Sequence, residues 1–125
     1  ELGKSALIIT YGRGVYWSLE AAKFYNGQIE VLDLRTLNPL DEEQIFKSSK
    51  LHGKVLIVTE EPNSSSFSLG LAGKIQKNCF EYLDAPVEIV GSENTPAIPL
   101  NENLEYAYLP NAEKVKKVLS KLFEY

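Results

Sequence analysis

Residues 6–14 read Ala6-Leu7-Ile8-Ile9-Thr10-Tyr11-Gly12-Arg13-Gly14, an uninterrupted apolar run that stops at a glycine-rich turn. Apolar runs without polar alternation are typical of strands that are covered on both faces, as in parallel sheets. Val15, Leu19 and Ala22 follow at helical spacing, so the turn joins a strand to a helix that these three residues anchor. This stretch therefore predicts the first βα unit of a parallel sheet.

The same alternation of strand and helix continues along the chain. Further strands are predicted at residues 29–34, 55–58 and 87–90, and Asp41 is predicted to cap a helix that Gly53 ends. The buried positions predicted for two later helices are Leu71, Ile75, Cys79 and Tyr82 in the first, and Val115, Val118, Leu119 and Leu122, after an Asn111 cap, in the second. Repeated βαβ units predict an α/β fold, a three-layer sandwich with helices on both faces of a mostly parallel sheet.

Composition narrows the class of protein. The chain has 125 residues and a net charge of −4, with Lys and Arg scattered among acidic residues, which predicts one domain and no nucleic-acid partner. One Cys and one His can form neither a disulfide nor a metal cluster, which favours a reducing compartment, the cytosol of a bacterium or a mitochondrial matrix. No apolar run is long enough for a membrane span. The chain opens at Glu1 without a signal peptide and contains no Met. We therefore expect residues 1–125 to be a single domain cut from a longer protein.

The strand ends offer two candidate sites. The Gly12–Gly14 turn opens a helix, where free N–H groups can bind phosphate, but the third glycine of a dinucleotide fingerprint is missing. The turn is therefore either an anion site or a tight βα connection. Glu60 and Glu61 follow a strand, but neighbours on an extended segment point in opposite directions, so they do not form a catalytic pair.

The remaining reactive side chains have structural interpretations. Asp33 lies inside a strand, His52 is a partner for the C-terminal dipole of its helix, and Cys79 lies on an apolar stripe. The sequence thus predicts no catalytic residue, no cofactor-binding residue and no metal ligand in this chain.

Several strings resemble one family. Residues 30–41 read Glu30-Val31-Leu32-Asp33-Leu34-Arg35-Thr36-Leu37-Asn38-Pro39-Leu40-Asp41, which resembles the signature EVIDLRTL-x-PLD of the C-terminal domain of the beta subunit of thiamine diphosphate-dependent 2-oxo acid dehydrogenases. Further collinear matches to that family are Thr10-Tyr11-Gly12, Val58-Thr59-Glu60-Glu61, Phe80-x-x-Leu83-Asp84-Ala85-Pro86-Val87 and Leu109-Pro110. Asn94 departs from the family, which usually has Asp there. Ser64-Ser65-Ser66 stands where the family has a more glycine-rich segment before the residue that matches Phe67.

The resemblance implies a domain that works inside a larger enzyme. It implies a transketolase C-terminal-like sandwich with a five-stranded sheet, in a parent that oxidatively decarboxylates pyruvate or branched-chain 2-oxo acids such as 2-oxoisovalerate. Thiamine diphosphate, Mg²⁺ and the catalytic histidine then lie in other parts of that parent. The implied partners are its alpha and beta chains and the subunit-binding domain of the acyltransferase core, and the implied contacts are Asp84 and the terminal carboxylate of Tyr125.

Three alternatives stay open at this stage. Asp84 could instead cap the turn before Pro86. The chain could be a free-standing nucleotide- or anion-binding module, or it could be the equivalent domain of transketolase or deoxyxylulose-phosphate synthase, whose signatures the string Leu34-Arg35-Thr36-Leu37 fits less well.

Overall fold

The computed structural model describes residues 5–25, 27–34, 41–62, 66–92 and 111–125. Within these ranges the sheet has four strands, all parallel: β1 Ala6–Thr10, β2 Ile29–Asp33, β3 Val55–Pro62 and β4 Glu88–Ser92, in the order β2-β1-β3-β4. The resemblance implied five strands, and the described residues supply four. Residues 93–110, with Asn94, and residues 63–65 lie outside the described part of the chain.

β1 and β3 form the centre of the sheet. Ile8 pairs with Val31 on one side and with Leu56 on the other, and Ile57 pairs with Ile89 of β4. Every residue of β1 is buried. The continuous apolar run that opens the chain therefore has the two-sided cover that it predicts.

The helices lie in two layers. Within the described residues, α1 Gly14–Ala22 and α4 Ala112–Phe123 pack on one face of the sheet, and α2 Glu42–His52 and α3 Ser66–Cys79 pack on the other. Short 3₁₀ turns, Lys23–Tyr25 and Phe80–Tyr82, extend α1 and α3. The predicted α/β/α sandwich is confirmed.

Both predicted helix caps are confirmed. Asp41 Oδ1 accepts a hydrogen bond from Gln44 N at 3.2 Å, and Asn111 Oδ1 accepts one from Lys114 N at 3.0 Å. These bonds satisfy amide groups that the first turn of a helix leaves without partners. At the other end of α2, Gly53 adopts the left-handed conformation with φ 75° and its N–H donates to Ser49 O.

Two predicted helix faces need correction. In α1 the buried residues are Gly14, Ser18 and Ala21, whereas Leu19 is half exposed. Small residues at i, i+4 and i+7 let α1 approach the sheet closely, and this contact line, not the apolar periodicity, decides its orientation. In α3, Leu71, Ile75 and Cys79 are buried as predicted.

The correction in α3 concerns Tyr82. Its side chain is 54% exposed because α3 ends at Cys79 and the following 3₁₀ turn rotates the chain off the helical stripe. In α4 the prediction is confirmed, since Val115, Leu119 and Leu122 are fully buried and Val118 packs against them. None of the helices in the described ranges is both long and apolar enough to cross a membrane.

Candidate functional site

The Gly12–Gly14 turn carries a carboxylate where an anion would have to bind. Glu60 Oε1 accepts a hydrogen bond from Arg13 N at 3.2 Å and lies 3.4 Å from the position of a Cβ on Gly12. Glu60 extends from β3, next to β1, because the carboxyl ends of parallel strands meet at one edge of the sheet. A phosphate at this turn would have to displace that carboxylate.

The next amide groups of the turn are also in use. They donate to carbonyl oxygens three residues earlier, each at 3.2 Å: Gly14 to Tyr11, Val15 to Gly12 and Tyr16 to Arg13. A phosphate site at a helix N-terminus needs these N–H groups free to point at the ligand. The geometry therefore favours the tight βα connection over the anion site.

Gly14 is required by close packing. A Cβ there would overlap Thr10 Oγ1 and lie 3.2 Å from Val58 O, so α1 could not keep its distance from β1 and β3. The two glycines of the turn are thus accounted for within the fold, Gly12 by its φ of 59° and Gly14 by this contact.

The described residues do not fit a diphosphate and its metal ion. Within those ranges, no three His, Cys, Asp or Glu side chains come together in a way that could hold a metal. Glu60 opposes a phosphate at the only strand–helix turn that the sequence offers as an anion site. The side chain of Glu61 lies outside the described part of the chain.

His52 forms a structural pair that the sequence does not reveal. Its Nε2 lies 2.7 Å from Glu30 Oε1 of β2, and its Nδ1 lies 2.9 Å from Ser5 Oγ. As predicted, it belongs to the last turn of α2, where a cation interacts favourably with the helix dipole. Glu30 could not be matched to it from spacing, since the two residues are 22 positions apart.

Cys79 is a core residue. Its side chain is fully buried, its Sγ lies 3.8 Å from Phe46 O, and burial raises the pKa of its thiol, an effect that Lys50 partly offsets. The thiolate is the reactive form, so this thiol is a poor nucleophile in the folded chain.

We therefore expect Cys79 to resist a thiol reagent such as dithionitrobenzoate at pH 8 and to react fully in urea. The raised pKa also means that the folded chain holds the proton more tightly than the unfolded chain. Stability is accordingly expected to fall as the pH rises through and above the ordinary range of a cysteine. Rapid stoichiometric labelling without denaturant would contradict this description of the site.

Asp84 is exposed, and the bonds of its segment to the rest of the described chain come from its backbone. Its N–H donates to Gly53 O at 2.7 Å, and its Oδ2 lies 2.7 Å from the position of a Cβ on Gly53. Within the described part of the chain, the carboxylate makes no hydrogen bond and no ion pair, whereas Glu42 and Glu88 are paired with Lys74 and Lys121. The backbone, rather than a capping carboxylate, thus fixes this turn.

Tyr125 follows directly after α4 and its C-cap residue Glu124. It is 58% exposed, and its N–H donates to Leu122 O. Two residues earlier, the ring of Phe123 lies 5.6 Å from the buried ammonium of Lys54. Gly53 thus contacts Asp84, and Lys54 contacts Phe123 at the end of α4, so Asp84 lies beside the segment that leads into β3, at the opposite edge of the sheet from Glu60.

Comparison with known proteins decides the family. Residues 1–115 match the transketolase C-terminal domain family. The chain belongs to the transketolase C-terminal domain family. A split-gene transketolase chain, described as an inactive beta4 tetramer, superimposes with a TM-score of 0.76 at 26% identity and covers 98% of this chain and 40% of its own.

Two curated relatives of this transketolase C-terminal domain are subunits of dehydrogenases. The 2-oxoisovalerate dehydrogenase subunit beta of Bacillus subtilis is 34% identical over 126 residues, and the pyruvate dehydrogenase E1 component subunit beta of Rickettsia conorii is 36% identical over 126 residues. Each match covers 98% of this chain and 38% of the relative. The chain thus spans little more than a third of the length of these relatives.

Proposed function

We propose that this chain is the C-terminal domain of a beta subunit of a thiamine diphosphate-dependent 2-oxo acid dehydrogenase and that it serves assembly and docking. The parent would oxidatively decarboxylate pyruvate or a branched-chain acid such as 2-oxoisovalerate, in the cytoplasm. The observation that carries the proposal is the pair of beta-subunit relatives at 34% and 36% identity, each aligned over 98% of the chain. The transketolase chain is related at only 26% identity, which makes transketolase or deoxyxylulose-phosphate synthase the weaker assignment.

Catalysis would be carried out elsewhere in the parent. The single histidine of the chain, His52, contacts Ser5 and Glu30 through its two ring nitrogens. At the Gly12–Gly14 turn, the carboxylate of Glu60 accepts the hydrogen bond of Arg13 N. Neither arrangement suits the binding of thiamine diphosphate and Mg²⁺. When bound in the parent, thiamine diphosphate would supply the electron sink for decarboxylation.

The role of this domain would be to bind other chains. Its proposed partners are the alpha and beta chains of the enzyme and the subunit-binding domain of the acyltransferase core, with Asp84 and Tyr125 as contact residues. An exposed carboxylate that forms no ion pair with the described residues is suited to attract a basic partner and to fix its orientation. The description of the transketolase relative as a beta4 tetramer supports association between such chains.

The purified 125-residue chain is expected to show no turnover. The assay supplies pyruvate or 2-oxoisovalerate, thiamine diphosphate, Mg²⁺ and an artificial electron acceptor, and circular dichroism verifies that the chain is folded. Calorimetric titration with thiamine diphosphate and Mg²⁺ should give no binding heat. Decarboxylation by the folded chain alone would refute the proposed division of labour.

A further inference from the structure

We propose that the groove between β4 and α4 binds a small anionic amphiphile, that is, a carboxylate head group on an apolar chain. This inference goes beyond the proposed function and does not depend on it. The groove has a volume of about 570 Å³, and its lining comes from residues 89–91 of β4 and from the side of α4 that carries Lys114, Lys117, Val118 and Lys121. Sites for small molecules commonly have volumes of about 300–1,000 Å³.

The floor of the groove is apolar. Val90 of β4 is buried in the core layer between the sheet and α4. Val118 packs against the same layer but is only partly buried, so part of its side chain faces the groove. Apolar surface of this kind gains free energy when a hydrocarbon covers it. The floor therefore favours a ligand with an apolar body over a hydrated inorganic anion.

One wall of the groove is cationic. Lys114, Lys117 and Lys121 recur at intervals of three and four residues, so they lie along the same side of α4. Lys117 is exposed and forms no ion pair with the described residues. Lys121 Nζ lies 3.5 Å from Glu88 Oε2, and the exposure of the lysine makes such a pair weak. A carboxylate can therefore bind beside Lys117 and Lys121.

This wall differs in charge from the chain as a whole. The chain has a net charge of −4, whereas α4 carries four lysines. The fourth, Lys116, lies on another side of the helix, with its ammonium 3.6 Å from the ring centroid of Phe24. Glu124 lines the end of the groove, about one turn beyond Lys121. The head group is therefore expected beside Lys117, away from the carboxylate of Glu124.

The length of the cationic wall decides between an amphiphile and an acidic peptide. Lys114 and Lys121 are seven residues apart, which corresponds to about 10 Å along a helix axis. An extended peptide covers that distance with about three residues, and only alternate side chains would face the floor. A hydrocarbon chain of the same length contacts the floor with all of its carbons. The groove thus suits the amphiphile better.

Calorimetric titration of the full-length protein with decanoate, below the concentration at which it forms micelles, tests the site. Decyltrimethylammonium has an apolar chain of the same length on a cationic head group and is the matched control. We expect decanoate to bind at least about 10-fold more tightly, because the lysines attract one head group and repel the other. Octanoate should bind about 15-fold more weakly than decanoate, since each buried CH₂ group contributes about a factor of four.

Two variants locate the bound ligand. Lys117→Glu should weaken decanoate binding about 10-fold, whereas Lys77→Glu, the same change at an exposed position of α3 on the other face of the sheet, should leave it unchanged. Val118→Ala removes part of the floor and should weaken binding about 3-fold. Leu51→Ala, at an exposed apolar residue of α2, should have no effect. Circular dichroism verifies that each variant is folded.

Four results would overturn the inference. The first is a failure of decanoate to bind. The second is equal affinity for the two head groups, which would mean adsorption through the apolar chain alone. The third is an equal effect of Lys117→Glu and Lys77→Glu, which would place the ligand outside the groove. The fourth is binding to vesicles of phosphatidylglycerol without binding of free decanoate, which would make this surface a membrane contact.

Discussion

Replacing Gly14 with alanine is expected to lower the free energy of unfolding by about 2–3 kcal/mol, the upper part of the range of about 1–3 kcal/mol that an extra group in a packed core usually costs. The new Cβ would overlap Thr10 Oγ1, which sits on a stiff β-branched side chain, and would lie 3.2 Å from the backbone oxygen of Val58. Neither atom is at the end of a flexible side chain, so α1 must shift away from the sheet. Urea unfolding monitored by circular dichroism measures the change.

Gly73→Ala is the matched control for this prediction. Gly73 lies in α3, where a Cβ would meet no described atom within 4 Å apart from its own helical backbone and chain neighbours, so the same substitution should stabilise the chain by about 0.5–1 kcal/mol through helix propensity. The two changes therefore have opposite expected signs. Equal effects at both positions would mean that α1 does not approach the sheet through Gly14.

The layered fold could be predicted from the sequence because it depends on local signals. Continuous apolar runs such as Ala6–Thr10 predict strands that are covered on both faces. Asp41 and Asn111 predict the first residues of helices. The orientation of α1 could not be predicted in this way. Gly14, Ser18 and Ala21 face the sheet because they are small. The periodicity of large apolar residues does not identify such small residues as buried positions.

The candidate sites depended on contacts between distant residues. Glu60 accepts a hydrogen bond from Arg13 in the Gly12–Gly14 turn, although the two residues are 47 positions apart in sequence. Glu30 contacts His52, which lies 22 positions away. Only the three-dimensional arrangement shows that Glu60 opposes an anion at the turn. The resemblance supplied Asp84 and Tyr125 as partner contacts, and nothing in the residues alone pointed to the position of Asp84 beside Gly53.

Changing Asp84 to lysine is expected to have the largest functional effect. The substitution replaces an exposed carboxylate with an ammonium that repels a basic partner, so docking to the acyltransferase subunit-binding domain should weaken by about 100-fold or more. Asp84 is exposed, and its structural bond to Gly53 O comes from its backbone N–H, so the fold should tolerate the change. Glu20→Lys on α1 has the same change in charge at another exposed position and serves as the control.

The most direct test measures docking and chemistry in the same preparation. The enzyme assembled from full-length alpha chains and Asp84→Lys beta chains is titrated with the subunit-binding domain, and its decarboxylation rate is recorded with an artificial electron acceptor. The proposed function predicts that docking is lost while this rate stays within about twofold of the wild type, and that Glu20→Lys changes neither. Undiminished docking, or a decarboxylation rate that falls together with docking, would contradict it.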